Sequence, residues 1–424
     1  MQIRCLGLLA ALSLAVCACA EPKKPGSPTS TGGSFDWPQW RGPERNEVNK
    51  ETGLLKDWPK EGPPLAWEMK DLGGGFSTPS VAGGRIFGMS DRGKDEVVWA
   101  LDEANGKELW ATRISNSSGN GGTDGPRSTP TVEGDLLWTL GFHGDLVCLD
   151  VKSGEIKWQK NLRKEFKGQV GGWQYSESPL IDGDKLIATP GGSEAALVAL
   201  NKKTGEVIWK AKVPGVERAE YSSVIVAEIG GKRQYIQFMG GGVVAVAADD
   251  GRFLWRYDSP HNTTANCSTP IYSDGHVFAA SGYGTGGGLA KINFSNGEFT
   301  AEEVYFTKKM VNHHGGMVLV DGYLYGSNEG LLTCLDFHSG KLMWDDRAPG
   351  KGSITYADGR LYYRNEGGPI CLVEATPTKY IEHGRFNQPD RSNRSAWPHP
   401  VIANGKLYIR DQDVLLCYDV KEKK

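Results

Sequence analysis

No block of like charge runs through this chain, and no two of its cysteines are neighbours. Lys and Arg form nothing longer than short pairs, and the formal net charge is −3. A nucleic-acid partner, which would need a basic stripe or patch, is therefore not expected. Five cysteines lie beyond Cys19: Cys148, Cys267, Cys334, Cys371 and Cys417. That odd set implies no disulfide framework. Four of the five recur at one place in a repeat (VCLD, TCLD, ICLV, LCYD), and equivalent strands of different repeats stand too far apart to bridge. They read as buried thiols that pack as small apolar groups. HExxH, CxxC, EF-hand and GxSxG patterns are missing as well, so no metal site and no nucleophile elbow is assigned. His313 and His314 would point to opposite faces if they lay on a strand, which argues against one shared metal.

The apolar run Leu6–Val16 is too short to cross a bilayer as a helix and, with Arg4 before it, reads as a targeting segment. Two cleavage patterns overlap there. Val16-Cys17-Ala18-Cys19 resembles a bacterial lipobox with Cys19 as the lipidated residue, while Ala18-Cys19-Ala20 fits ordinary signal peptidase. Residues 1–19 are thus the expected signal peptide. The Pro/Gly/Ser/Thr-rich stretch over 20–35 is an expected flexible tether.

What the chain has in abundance is glycine, at 57 residues, and tryptophan, at 13. Both fall into a repeat. WALDEANGKELW ends at Trp110, VCLDVKSGEIKW at Trp158, VALNKKTGEVIW at Trp209 and TCLDFHSGKLMW at Trp344. VAVAADDGRFLW keeps Trp255, and KINFSNGEFTA has Ala301 where the Trp would stand. Each unit reads as a hairpin: a buried strand, a turn closed by Gly, then a strand carrying the Trp. A second hairpin precedes each unit, with its turn glycine at 84, 134, 183, 231, 275, 322, 359 and 405. Two hairpins make a four-stranded sheet that cannot bury both faces alone, so copies must stack. Eight such sheets closing in a ring predict an all-β, eight-bladed propeller over residues 67–424. The eighth unit stops soon after Asp419 without its Trp strand, and PLAWEMKD around Trp67 supplies the missing copy. The N-terminal strand should therefore close the ring and cover its open edges. Residues 36–66 are expected to run extended over the propeller surface. Blade 7 loses both turn Gly and Trp in ICLVEATPTKYIEHGRF, which predicts irregular outer strands and a docking edge.

The ALDxxxGxxxW units resemble the PQQ-like repeat family. The resemblance covers residues 67–424 and implies that Trp67, Trp110, Trp158, Trp209, Trp255 and Trp344 dock between neighbouring blades. The family spans a non-catalytic lipoprotein scaffold of the outer-membrane β-barrel assembly machinery and the quinoprotein dehydrogenases. The WPQWRGP opening and the HHGGMVLVDGYLYG and YIRDQDVLLCYD stretches look like an exported bacterial subgroup.

In such a ring, the loops leading into the innermost strands gather round one mouth of the central channel. They place Arg127, Trp173, Tyr175, His313, His314, Trp397 and His399 together, and Glu329, Glu366, Arg410 and Asp411 can join them from the neighbouring loops. Aromatic rings beside charges and glycine-rich backbone describe a ligand pocket; a plug of satisfied polar side chains is the plainer reading. No catalytic residue is assigned. The expectation is an exported binding or scaffold propeller of the bacterial cell envelope, periplasmic or anchored at the outer membrane through a lipid, with protein or glycan partners and no cofactor. A quinoprotein-like oxidoreductase using PQQ at the channel mouth is the alternative, and a carbohydrate-binding propeller a third. Against PQQ stand the shorter chain and the missing adjacent-cysteine pair.

Overall fold

The computed structural model describes residues 35–119, 124–215 and 218–423. The signal segment, Cys19 and most of the tether lie outside the described residues. Eight antiparallel sheets of four strands follow one another, each ordered first strand to fourth. Blade 1 is Ser80–Ala82, Arg85–Arg92, Asp95–Asp102 and Glu108–Asn116. Blades 2 to 7 begin with Thr131–Glu133, Leu180–Asp182, Ile225–Ile229, Ile271–Ser273, Met317–Val320 and Gly352–Ala357. Contacts between first strands of successive blades put these segments around the central channel. Blade 8 takes Val401–Ala403, Lys406–Asp411 and Val414–Asp419 from the end of the chain. Its outermost strand is Leu65–Met69, paired antiparallel with Val414–Asp419 so that Trp67 lies opposite Cys417. The ring is closed by the N-terminal strand, as the truncated last repeat required.

The hydrophobic core is divided among the blade interfaces. One cluster, for example, joins Ala199, Leu197 and Trp209 of blade 3 to Tyr235, Val244 and Val246 of blade 4. Every blade breaks register at one equivalent place in its outer strand pair, as between Ile156 and Trp158 or between Ala199 and Leu200. Such a bulge sets two residues against one and re-aims the side chain. Here it turns the Trp toward the next blade. Trp110 Nε1 donates to Val151 O at 3.0 Å, Trp158 Nε1 to Lys202 O at 3.0 Å and Trp344 Nε1 to Thr376 O at 2.8 Å. Trp67 reaches Glu103 O of blade 1 at 3.1 Å, so the same clasp joins the two ends of the chain. The turn glycine of the receiving blade is the other half of the device. Gly154 has φ +74°, and a Cβ there would stand 2.6 Å from the Trp110 ring.

Three of the six tryptophans are buried, Trp209 at 8%, Trp255 at 2% and Trp344 at 8% exposure. Trp67, Trp110 and Trp158 are only half-buried; for Trp110 and Trp158 the repeat predicted largely buried rings. One face of each lies on the neighbouring turn and the other is left at the outer rim. Trp255 differs in bonding too: its Nε1 donates to Gln234 Oε1 of its own blade. In blade 5 the clasp is supplied by Tyr305, whose hydroxyl donates to Phe337 O at 2.8 Å. A longer hairpin, Gly286–Ser295 and Glu298–Thr307, moves the Trp-equivalent position from Ala301 to Tyr305.

Residues 36–66 depart most from expectation. Residues 36–49 do not drape over the surface, whereas much of 52–66 is exposed on it. Trp37 bridges to Val81, Pro38 O accepts from Val132 N, and Arg45 donates to Ser178 O and Pro179 O. Arg41 donates to Thr269 O and Met317 O, while Val48–Asn49 pairs parallel with Gly352–Ala357 as a fifth strand of blade 7. These partners are on, or just before, the innermost strands of six blades, so the segment closes the channel from the side where those strands end. Buried carbonyls of the first strands need donors, and the Arg41 and Arg45 guanidinium groups supply them. Further on, Trp58 packs on Phe386 and Tyr362, and a Cβ on Gly384 would meet it at 2.6 Å. Gly384 sits at the bulge where other blades carry Trp. The expected irregular docking edge of blade 7 is therefore a regular four-stranded edge capped by the chain's own Trp58.

Candidate functional site at the channel mouth

On the opposite side of the disc the channel is open. The residue just before each innermost strand segment lines this mouth: Phe76, Arg127 and Cys267 before S-T-P, Tyr221 before S-S, Lys351 before G-S, Trp397 before P-H-P, His314 before Gly315-Gly316, and Ser176 two residues before S-P. One half-open space of about 210 Å³ lies among Trp40, Trp173, Arg127, Tyr221, His314 and Trp397. A second of about 320 Å³ adjoins it, sharing Tyr283, His313 and His314 and reaching Glu329 and Lys351. The first alone is below the ~300 Å³ of a drug-sized pocket. Trp40, from the channel-closing segment, forms the floor: its Nε1 donates to Thr269 Oγ1 at 3.1 Å and its ring lies 4.6 Å from His399.

Of the residues expected here, Arg127, Trp173, His313, His314, Trp397 and His399 line the first cavity. Glu329 lines the second, and Glu366 reaches the mouth by accepting from Trp397 Nε1 at 2.8 Å. Tyr175 does not belong. It is 1% exposed and packs between blades 2 and 3, its hydroxyl donating to Pro190 O at 2.9 Å. The left-handed backbone at Gln174, φ 63°, turns Tyr175 away from the side that Trp173 faces. Arg410 and Asp411 are also displaced. Arg410 is buried between blades 8 and 1, and Asp411 accepts from Gln388 and Ser392 behind the mouth. Both belong to the strand Lys406–Asp411 itself rather than to the loop after it. His313 and His314 lie in a bend, not on a strand, so both rings face the cavity at 5.0 Å from each other. That corrects the opposite-face expectation. Among the described residues, no three His, Cys, Asp or Glu side chains are grouped to hold a metal ion. Trp40, Phe76, Tyr221, Tyr283, Cys267 and Lys351 were missed as individuals, although the offset that Phe76, Tyr221, Cys267 and Lys351 share from the S-T-P positions is a signal the repeat carries.

The mouth is aromatic and close to neutral. Burial pushes His313 down to about 3, with the charge of Lys351 acting in the same direction; Lys351 Nζ donates to His313 Nδ1 at 3.0 Å. Burial likewise lowers His314, so both imidazoles are neutral at physiological pH. Burial raises the Cys267 thiol to about 12 and the Tyr221 phenol to about 12. Burial also opposes ionisation of Glu366, but His314, the Lys351 ammonium at 2.9 Å and Trp397 Nε1 outweigh it and hold the carboxyl below the usual range. Arg127, lowered by burial to about 10, keeps its charge; it lies over Phe76 at 5.5 Å and Trp397 at 6.0 Å and donates to Gly125 O and Trp173 O. His399 Nδ1 is hydrogen-bonded to Glu47 Oε1 at 2.6 Å, tying the mouth to the segment below it.

Two carboxyls behind this shell predict a pH dependence. Burial raises Glu96 and Glu177 each to about 7. A carboxyl whose folded pKa is above its unfolded value lends stability that is complete below about 4.5 and is lost as pH rises through about 7. His313 and His314 act in the opposite sense, because they are charged below about 6.5 when unfolded and neutral when folded. Comparison of wild type with Glu96→Gln isolates the carboxyl. The variant's unfolding free energy, followed by urea titration, should gain on wild type between pH 5 and pH 8, by on the order of 3 kcal/mol at most. A gap independent of pH would show that Glu96 titrates normally.

A closed eight-bladed ring whose outer-strand tryptophans clasp the next blade's turn defines a PQQ-like repeat propeller. The chain belongs to the family described as "Outer membrane protein assembly factor BamB", whose sequence profile matches residues 94–346. It is 24% identical over 241 residues to the BamB of Burkholderia pseudomallei, covering 54% of this chain and 58% of that protein. It is 24% identical over 296 residues to the BamB of Shewanella oneidensis, covering 66% and 68%. This chain thus spans less than two thirds of the Burkholderia protein's length. A quinohemoprotein alcohol dehydrogenase of Pseudomonas putida is 26% identical over 206 residues, 46% of this chain and 27% of that enzyme. In structure the chain is similar to the quinohemoprotein alcohol dehydrogenase of Comamonas testosteroni, with a TM-score of 0.67 at 13% identity over 92% of this chain and 81% of the other. At that identity the likeness is one of fold.

The residues at the mouth do not suit the quinone of such dehydrogenases. PQQ is a flat tricarboxylate. The cations here are Arg127, which donates to two backbone carbonyls, and Lys351, which is paired with Glu366. Cys267 has no neighbouring cysteine in sequence.

Proposed function

We propose that this protein is an exported, lipid-anchored propeller of the bacterial cell envelope that binds other proteins during outer-membrane protein assembly, the role named for its relatives. The family match over residues 94–346 carries this reading. Support comes from the architecture: a rigid ring, closed by its own N-terminal segment, presents loops from eight blades on one face, and rigid scaffolds carry binding on such loops. Deleting the gene should lower the amount of folded β-barrel protein in the outer membrane, and restoring it should recover that amount. Unchanged barrel content, or stoichiometric uptake of PQQ with calcium by the purified protein, would overturn the reading. The anchor has its own test. Labelled palmitate should enter the wild-type protein, and Cys19→Ser should abolish the label and move the protein from the membrane to the soluble periplasmic fraction. A membrane-bound Cys19→Ser protein would remove the anchor.

A further inference from the structure

We propose that the channel-mouth cavity binds one neutral sugar ring. The first observation is a set of hydroxyl donors facing the cavity. Thr78, Ser178 and Ser223 hold equivalent places in blades 1, 3 and 4 and are 2%, 1% and 2% exposed. Each hydroxyl oxygen accepts a backbone N–H across a blade boundary: Thr78 Oγ1 from His399 at 3.0 Å, Ser178 Oγ from Thr129 at 2.9 Å and Ser223 Oγ from Ser178 at 3.0 Å. A hydroxyl has one proton to donate besides its acceptor pairs. Among the described residues, none of these three protons has an acceptor. Ser176 Oγ and His314 Nδ1 are also buried without a hydrogen-bond partner, and His314 Nε2 has only the Glu366 carboxylate at 3.6 Å. Buried polar groups are costly when unpaired, so this cluster points to something that supplies oxygens in the cavity.

The second observation is the pair of aromatic walls. Trp173 and Tyr221, from blades 3 and 4, meet edge to face at 5.7 Å. Phe76 and Trp397, from blades 1 and 8, lie 4.6 Å apart across the ring from them. Aromatic faces bury the C–H faces of a ring, while polar tips serve its edge. The third is charge. A cation would meet Arg127, and an anion would compete with the carbonyls that Arg127 already serves and lie near Glu366. A neutral pyranose has what remains: apolar C–H faces for the walls, and hydroxyls that accept from Thr78, Ser178 and Ser223 and both donate to and accept from neutral His314. At about 210 Å³ the space holds one ring, so a longer glycan would enter by its terminal residue.

This goes beyond the assembly reading and fails separately from it. The test uses the mature full chain and its own fluorescence, since Trp40, Trp173 and Trp397 line the cavity. The methyl glycosides of glucose, galactose, mannose and N-acetylglucosamine should be titrated in turn, with a glycan array run in parallel. At least one sugar should give a saturable change in emission. Trp173→Ala and Ser223→Ala should each weaken it roughly fivefold or more, since a lost stacking face or hydrogen bond is worth about 1 kcal/mol or more. Ser339→Ala, on a distant exposed turn, should leave it unchanged. Circular dichroism checks that the variants fold. Silence with every sugar and on the array overturns the proposal, even if barrel assembly depends on the protein. Saturable binding of phenylacetate with silent sugars overturns it in favour of an aromatic acid.

Discussion

Arg410→Ala should cost about 3–5 kcal/mol in urea unfolding, among the largest effects of any single change in this chain. Arg410 is fully buried on the second strand of blade 8. It donates to Ser77 O at 2.9 Å, Met89 O at 2.6 Å and Ser90 Oγ at 2.8 Å, all in or leading into blade 1. Arg364, at the same position of blade 7, donates to Gln388 Oε1, Pro398 O and Arg410 O, so one guanidinium clamps blade 7 to blade 8 and the next clamps blade 8 to blade 1. Truncating Arg410 strands several buried acceptors at the seam where the two ends of the chain meet, and it opens a void as well. Arg410→Lys should recover only part of the loss, because an ammonium cannot reproduce the planar fork. A loss below about 1 kcal/mol would show that the seam is held by the Leu65–Met69 strand without the clamp.

The second large effect is expected at Trp255. Its ring is 2% exposed and its indole N–H is bonded to Gln234, so Trp255→Ala should cost about 3–5 kcal/mol. Trp110→Ala and Trp158→Ala should cost clearly less, because half of each ring already faces solvent at the blade rim. The measurement is the shift in urea midpoint at constant slope. Equal losses at all three would mean that the clasp to the next blade outweighs burial.

The six tryptophans mark how far the repeat pattern could be read. Their position, the turn glycines and the missing last strand specified blade number, strand order and the Leu65–Met69 closure, because hairpins follow from spacing within some fifty residues of chain. Burial did not follow, since it depends on what the next blade presents. The mouth was legible in the same partial way. Its loops could be named, and Trp173, His313, Trp397 and His399 do converge. Tyr175 could not be separated from Trp173, because one left-handed residue between them, Gln174, decides which faces the channel.

By itself, then, the sequence determined an eight-bladed, all-β ring with buried thiols at one repeat position and closure by its N-terminal strand. These are consequences of local periodicity repeated until the faces of every sheet are covered. Tertiary structure alone decided that residues 36–49 close the channel, that Trp58 completes blade 7, that Arg410 clamps the seam, and that two adjacent histidines share a cavity. The first three depend on backbone carbonyls or an uncovered apolar surface far away in the chain, and the last on a local bend at residues 313–315 that no periodicity announces. A segment without periodicity, such as WPQWRGPERNE, carries no trace of the distant groups it must satisfy.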